Sequence, residues 1–205
     1  MTDETPDHDN ARHHEKMAKK KAARAKIMAG KTIEKGLLIV HTGKGKGKST
    51  AAFGMVFRCV GHGMKSGVIQ FVKGAWATGE RTVLEKFPEL VTIKAMGEGF
   101  SWDTQDRQRD IKAAESAWAT SKEMMTSGDF DMVILDELNI PLRYDNLDIA
   151  DVVETLKHKP EDLHVVVTGR NAKDELIEIA DLVTEMTMVK HPFRAGVKAQ
   201  KGIEF

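Results

Sequence analysis

The chain has 205 residues, 41% of them hydrophobic, with 31 basic and 31 acidic side chains. That length suits one domain with an arm, and the hydrophobic fraction is enough for a buried core. Zero formal net charge gives no support to general nucleic-acid binding, no apolar run approaches the ~20 residues of a membrane span, and a single cysteine, Cys59, excludes an intrachain disulfide.

Residues 1–35 differ from the rest. Residues 3–15 hold acids with His8, His13 and His14, and residues 16–35 are rich in Lys, Ala and Arg. The segment reads as a charged arm, partly disordered or conditionally helical, with the alanines, Met17, Ile27 and Met28 supporting a helix. The three histidines lack metal-ligand spacing. The polar start carries no signal-peptide core, so the expected location is the cytoplasm. From Gly36 the pattern is α/β, and residues 36–205 are expected to form one domain. Apolar runs suited to buried strands lie at 37–41, 67–72, 91–95, 131–135 and 163–168, with a weaker one at 182–189. Helical patterns fall between them, at 49–61, 79–87, 104–127, 148–157 and 172–180, the long one capped by Asp103 or Thr104. Cys59 reads as a buried small hydrophobe rather than a reactive thiol. Such alternation predicts a mainly parallel sheet with helices on both faces; together with the phosphate-loop pattern at residues 42–50 the expected fold is a RecA-like P-loop nucleotide-binding one. In such sheets ligands bind beyond the strand C-terminal ends, so the loops after 40, 72, 95, 136 and 168 should converge.

The most informative segment is Val40-His41-Thr42-Gly43-Lys44-Gly45-Lys46-Gly47-Lys48-Ser49-Thr50. It sits between a strand pattern and a helix pattern, the context of a phosphate-binding loop. Glycines let backbone N–H groups approach an anion at a helix N-terminus, Lys48 adds a charge, and Ser49 offers a hydroxyl to Mg²⁺ or Mn²⁺. The usual G-x-x-x-x-G-K-[ST] pattern has Gly where this chain has Thr42, so the turn is a shortened variant. The strand pattern ending in Leu135-Asp136-Glu137 places two carboxylates at the sheet edge, where Asp136 and Glu137 can face Ser49 across a metal ion. Val167-Thr168-Gly169-Arg170 delivers Arg170 to the same edge as a phosphate ligand, and Arg58, on the helix after the loop, is a weaker candidate. In Met96-Gly97-Glu98-Gly99-Phe100-Ser101-Trp102-Asp103, Phe100 and Trp102 either pack on a large planar ligand or fold back onto the core.

These runs, with Gly61-His62-Gly63, Gln70-Phe71-Val72-Lys73-Gly74, Trp102-Asp103-Thr104-Gln105 and the C-terminal segment from Lys190-His191-Pro192-Phe193-Arg194 to Gly202-Ile203-Glu204-Phe205, resemble the P-loop ATP:corrinoid adenosyltransferases of bacterial cobalamin synthesis and salvage. The likeness covers about residue 36 to the C-terminus. It implies an enzyme that transfers the 5′-deoxyadenosyl group of ATP to the Co(I) centre of a corrinoid, cobalamin or an earlier intermediate, and releases triphosphate. It implies ATP held in reverse along Gly43, Lys44, Gly45, Lys46, Gly47, Lys48, Ser49 and Thr50, with Lys48 and Arg170 stabilising the leaving group. It implies Phe100 and Trp102 as the aromatics that displace the lower axial ligand of the corrinoid, and the arm as a segment closing over it. A reduced flavoprotein as electron donor, a homodimer, and no nucleic-acid or membrane partner belong to the same expectation. Lys44 and Ser49 depart from the Asn and Thr of similar loops. The residues alone leave two other classes open: a RecA-like kinase or ATPase, which breaks the β–γ bond, and a nucleotide-binding module without turnover.

Overall fold

The computed structural model describes residues 6–72, 78–97 and 106–204, with side chains from residue 9 onward. The chain divides into two units, residues 1–34 and 35–205. In the first, Pro6–Ala29 form helix α1. Its alanines, lysines and arginines favour helix, yet it has few apolar groups to bury, and its described side chains are exposed. Glu15 and Lys19 pair one turn apart at 2.7 Å.

The second unit runs β1 (Leu38–Thr42), α2 (Lys48–Gly61), β2 (Ser66–Gln70), α3 (Gly79–Leu84), β3 (Val91–Ala95), α4 (Arg107–Thr126), β4 (Met132–Asp136), α5 (Asn139–Arg143), α6 (Ile149–Lys157), β5 (His164–Thr168), α7 (Asp174–Ile179) and β6 (Leu182–Glu185). The strands form one sheet in the order β3-β2-β4-β5-β1-β6. Every pairing is parallel. Side chains alternate across a strand, so each apolar run feeds two cores. Leu38, Val40, Ile69, Leu135 and Val167 face Trp118 and Met124 of α4, Leu142 of α5, Leu156 of α6 and Leu176 of α7. Ile39, Val68, Ile134 and Val166 face Phe53 and Val56 of α2 and Leu84 of α3. The fold is therefore the expected α/β, RecA-like one, with helices on both faces of a parallel sheet. Cys59 is buried in the second core, and burial pushes its thiol pKa up.

The structure departs from the sequence reading at three places. Helix α4 starts at Arg107 because the Asp106 carboxylate accepts the N–H groups of Gln108 and Arg109 at 3.1 and 3.2 Å. The caps expected at Asp103 or Thr104 lie outside the described residues. Helix α5, only five residues long, is too short to show a helical period and was not anticipated. The weak run at 182–189 yields a strand of four residues, exposed throughout, because it pairs only with β1 at the sheet edge.

Candidate active site

Between β1 and α2 the chain turns through residues 43–47. Gly43 at φ 95° and Gly47 at φ 102° take the left-handed conformation that side chains disfavour. Gly45 has no such φ but lacks room: a Cβ there would lie 2.7 Å from the carbonyl oxygens of Met186 and Thr187. Its N–H donates to the Met186 carbonyl at 2.6 Å, so the turn leans on the residues leaving β6. The turn delivers Lys48 and Ser49 to the first turn of α2, where N–H groups and the helix dipole favour an anion.

Lys48 is 6% exposed, and its ammonium donates to the Gly45 carbonyl. Burial lowers its pKa, Glu137 opposes that shift, and Arg170 and Lys46 reinforce it. These groups thus lie in one electrostatic field although they come from three strand ends. Beneath the turn, buried His41 donates from Nδ1 to the Lys48 carbonyl at 3.3 Å. Burial drives the His41 pKa down, against that hydrogen bond.

A cavity of about 530 Å³ opens over the turn. Of the residues expected from sequence, it gathers Gly45, Lys46, Gly47, Lys48, Ser49, Thr50, Glu137 and Arg170. Gly43 is buried below the turn, and Lys44 is exposed on its outside. Neither lines the cavity. Arg58 does not reach it either: it sits in the last turn of α2, ten residues beyond Lys48, or about 15 Å at the helical rise per residue. Asp136 is also turned away. It is fully buried, one carboxylate oxygen accepting Gln70 Nε2 at 3.2 Å and the other Thr168 Oγ1 at 2.8 Å. The reason is the pleat: Asp136 closes β4 in register with Gln70, while Glu137 leaves the strand at φ 65° and enters the cavity. Phe100 and Trp102 lie outside the described residues.

The cavity also contains groups not anticipated as site residues. Thr78, Gly79 and Glu80, at the start of α3, form one wall. Gly202, Ile203 and Glu204 form another, and Glu204 pairs with Lys46. The C-terminal segment stands out in the sequence as a motif, but nothing local ties Glu204 to a lysine in the turn. Ser49 and Glu137 supply two oxygen donors to the cavity. Among the described residues no cluster of three or more His, Cys, Asp or Glu is placed to hold a metal ion. Two hard oxygens beside an anion site suit a magnesium-type cation that takes its other ligands from phosphate and water.

Residues 34–205 match the family described as ATP:corrinoid adenosyltransferase BtuR/CobO/CobP. The chain belongs to this family. It is 60% identical to a corrinoid adenosyltransferase of Sinorhizobium sp over the full length of both chains. It is 52% identical to one of Pseudomonas aeruginosa, covering 98% of this chain and 99% of the relative. It is 48% identical to one of Escherichia coli (strain K12), covering 84% of this chain and 87% of the relative. The resemblance seen in the sequence is therefore a family relationship, and the family is one of transferases acting with ATP on corrinoids. No helix among the described residues is long and apolar enough to cross a membrane.

Proposed function

We propose that this chain transfers the 5′-deoxyadenosyl group of ATP to the Co(I) centre of a corrinoid, with the cavity over residues 45–50 holding the triphosphate. The observation that carries the reading is the convergence of Lys46, Lys48 and Arg170 with Ser49 and Glu137 on one cavity, in a member of a family named for this reaction.

In the step itself the cobalt electron pair attacks the ribose 5′-carbon, a cobalt–carbon bond forms, and the carbon–oxygen bond to triphosphate breaks with its electron pair going to the leaving oxygen. Negative charge develops on that leaving group. The N–H groups of the turn, Lys48 and Arg170 are the donors fixed around it, and fixed donors cost no reorganisation as charge appears. No general base is needed, because Co(I) has no proton to lose. Ser49 and Glu137 would hold Mg²⁺ or Mn²⁺, which supplies charge neutralisation on the triphosphate. Burial that lowers the Lys48 pKa also removes water from its ammonium, which strengthens its pull on the leaving oxygens. Phe100 and Trp102 are assigned, by family likeness, to displacing the lower axial ligand before reduction to Co(I). The same likeness supports a homodimer, a reduced flavoprotein as electron donor and a cytoplasmic enzyme.

The test is an anaerobic mixture of the protein, Mg-ATP and chemically reduced cob(I)alamin. Loss of the Co(I) absorbance, with light-sensitive adenosylcobalamin and one inorganic triphosphate formed per turnover, is the expected result. ADP and phosphate would instead identify a phosphoryl-transfer enzyme. No reaction from a folded, ATP-binding preparation would overturn the proposal.

A further inference from the structure

We infer that Thr168, in direct contact with the Glu137 backbone, and Gln70, acting through the buried Asp136 carboxylate, are positioning residues that hold Glu137 in the cavity. The inference rests on the assignment of that cavity to Mg-ATP. Gln70, Asp136 and Thr168 close three adjacent strands, β2, β4 and β5. All three are buried, at 3%, 0% and 0% exposure. Asp136 accepts from both neighbours, which leaves each of its oxygens a donor supplied by the protein. With its O–H donated in a hydrogen bond to Asp136, the Thr168 hydroxyl still presents lone pairs, and one of them accepts the Glu137 N–H at 2.9 Å. The chain of contacts thus runs Gln70 to Asp136 to Thr168 to the backbone of Glu137.

Glu137 needs such an anchor. Its φ of 65° is a conformation that residues with a Cβ hold only where the surroundings fix it. Gly169 completes the seat: a Cβ there would lie 3.3 Å from Glu137 Oε2 and 2.8 Å from Asn139 Cβ, so only a glycine backbone fits beneath the carboxylate. Gln70 has a second connection. Its carbonyl accepts the N–H groups of Met96 and Gly97 at 3.0 and 3.1 Å. The same residue therefore fixes the exit of β3, from which the segment bearing Phe100 and Trp102 departs. Asp136 in this arrangement fixes the shape of the cavity and does not bind the cation.

The experiment compares wild type with Thr168→Val, Thr168→Ser and Gln70→Leu, using the full chain. The first readout is binding of Mn²⁺ in the presence of ATP, followed by the electron paramagnetic resonance signal of free Mn²⁺. The second is binding of inorganic triphosphate in EDTA, which reports on the turn, Lys48 and Arg170 without the metal. Thr168→Val should weaken Mn²⁺ binding by about tenfold and leave triphosphate binding within about twofold. Thr168→Ser, which keeps the hydroxyl, should return both to near wild type, and Gln70→Leu should give a smaller loss of the same kind. Equal loss of Mn²⁺ and triphosphate binding, or no rescue by serine, would overturn the inference, as would wild-type Mn²⁺ binding in Thr168→Val. If Thr168→Val does not fold, the Gln70→Leu and Thr168→Ser results decide. Neither readout involves a corrinoid, so absence of adenosyl transfer by the wild type would count against the proposed function without deciding this one.

Discussion

Gly45→Ala separates room from backbone conformation in the phosphate turn. The added Cβ would stand 2.7 Å from two carbonyl oxygens, those of Met186 and Thr187, and both are backbone atoms that cannot swing aside. Relief requires the turn and the segment after β6 to part by several tenths of an ångström. That costs about 1–3 kcal/mol, as overpacking does elsewhere. The parting also stretches the 2.6 Å bond from the Gly45 N–H to Met186, for roughly another 1 kcal/mol. If the segment after β6 yields, the sum of about 2–4 kcal/mol lowers the melting temperature by roughly 4–16 °C, given the usual 2–4 °C per kcal/mol for a domain of this size. If the turn yields, the cost appears as ATP binding weakened by about 30-fold or more. Gly47→Ala is the comparison. Its nearest contact would be Met186 Sδ at 3.6 Å, so it has room but is strained by φ 102°, at about 1–2 kcal/mol. Calorimetry and an ATP titration on both variants measure the two outcomes. Gly45→Ala matching wild type in melting temperature and ATP affinity, or costing less than Gly47→Ala, would refute the argument.

Arg170→Ala should lower the rate of adenosyl transfer by about 100-fold, the usual loss of one fixed donor to a developing anion, while Arg58→Ala should stay within about twofold because that side chain lies along α2 away from the cavity; steady-state kinetics with cob(I)alamin measure both. Trp102→Ala should reduce activity from cob(II)alamin plus a reductase more than activity from preformed cob(I)alamin, and equal losses would remove the axial-ligand role. The lowered pKa of His41 means that the folded state holds this ring neutral; its contribution to stability is full above the ordinary value of 6.5 and is lost as pH falls through the depressed folded value. Melting temperatures of wild type and His41→Gln should therefore converge on acidification below that point, and a constant difference from pH 8 to pH 5 would exclude the linkage. Glu204→Gln removes a rival anion from Lys46, so inorganic triphosphate should bind about 1.4- to 5-fold tighter, the range for a partly exposed ion pair, and weaker binding would show that Glu204 supports the anion site instead.

What the residues made legible and what they hid follow from the range of each interaction. The runs at 37–41, 131–135 and 163–168 read as buried parallel strands because both faces must be largely apolar. Turn chemistry likewise placed Lys48, Ser49, Glu137 and Arg170 at one edge, since strands wound in parallel put all their C-terminal ends on the same side. Neighbouring carboxylates could not be told apart that way. Asp136 and Glu137 differ in placement because one continues the pleat under Gln70 and Thr168 while the other breaks it at a positive φ, and no local preference makes glutamate a left-handed residue. Three-dimensional closure was hidden as well: Glu204 meets Lys46, and Gly45 rests on Met186, across segments far apart in the chain. Arg58 failed for the opposite reason. Nearness in sequence suggested nearness to the phosphate turn, yet a helix starting at Lys48 carries each further turn about 5 Å away from its own N-terminus. A cation on the helix that follows a phosphate loop is therefore a candidate ligand only in the first turn, which is where this chain places Lys48 and Ser49.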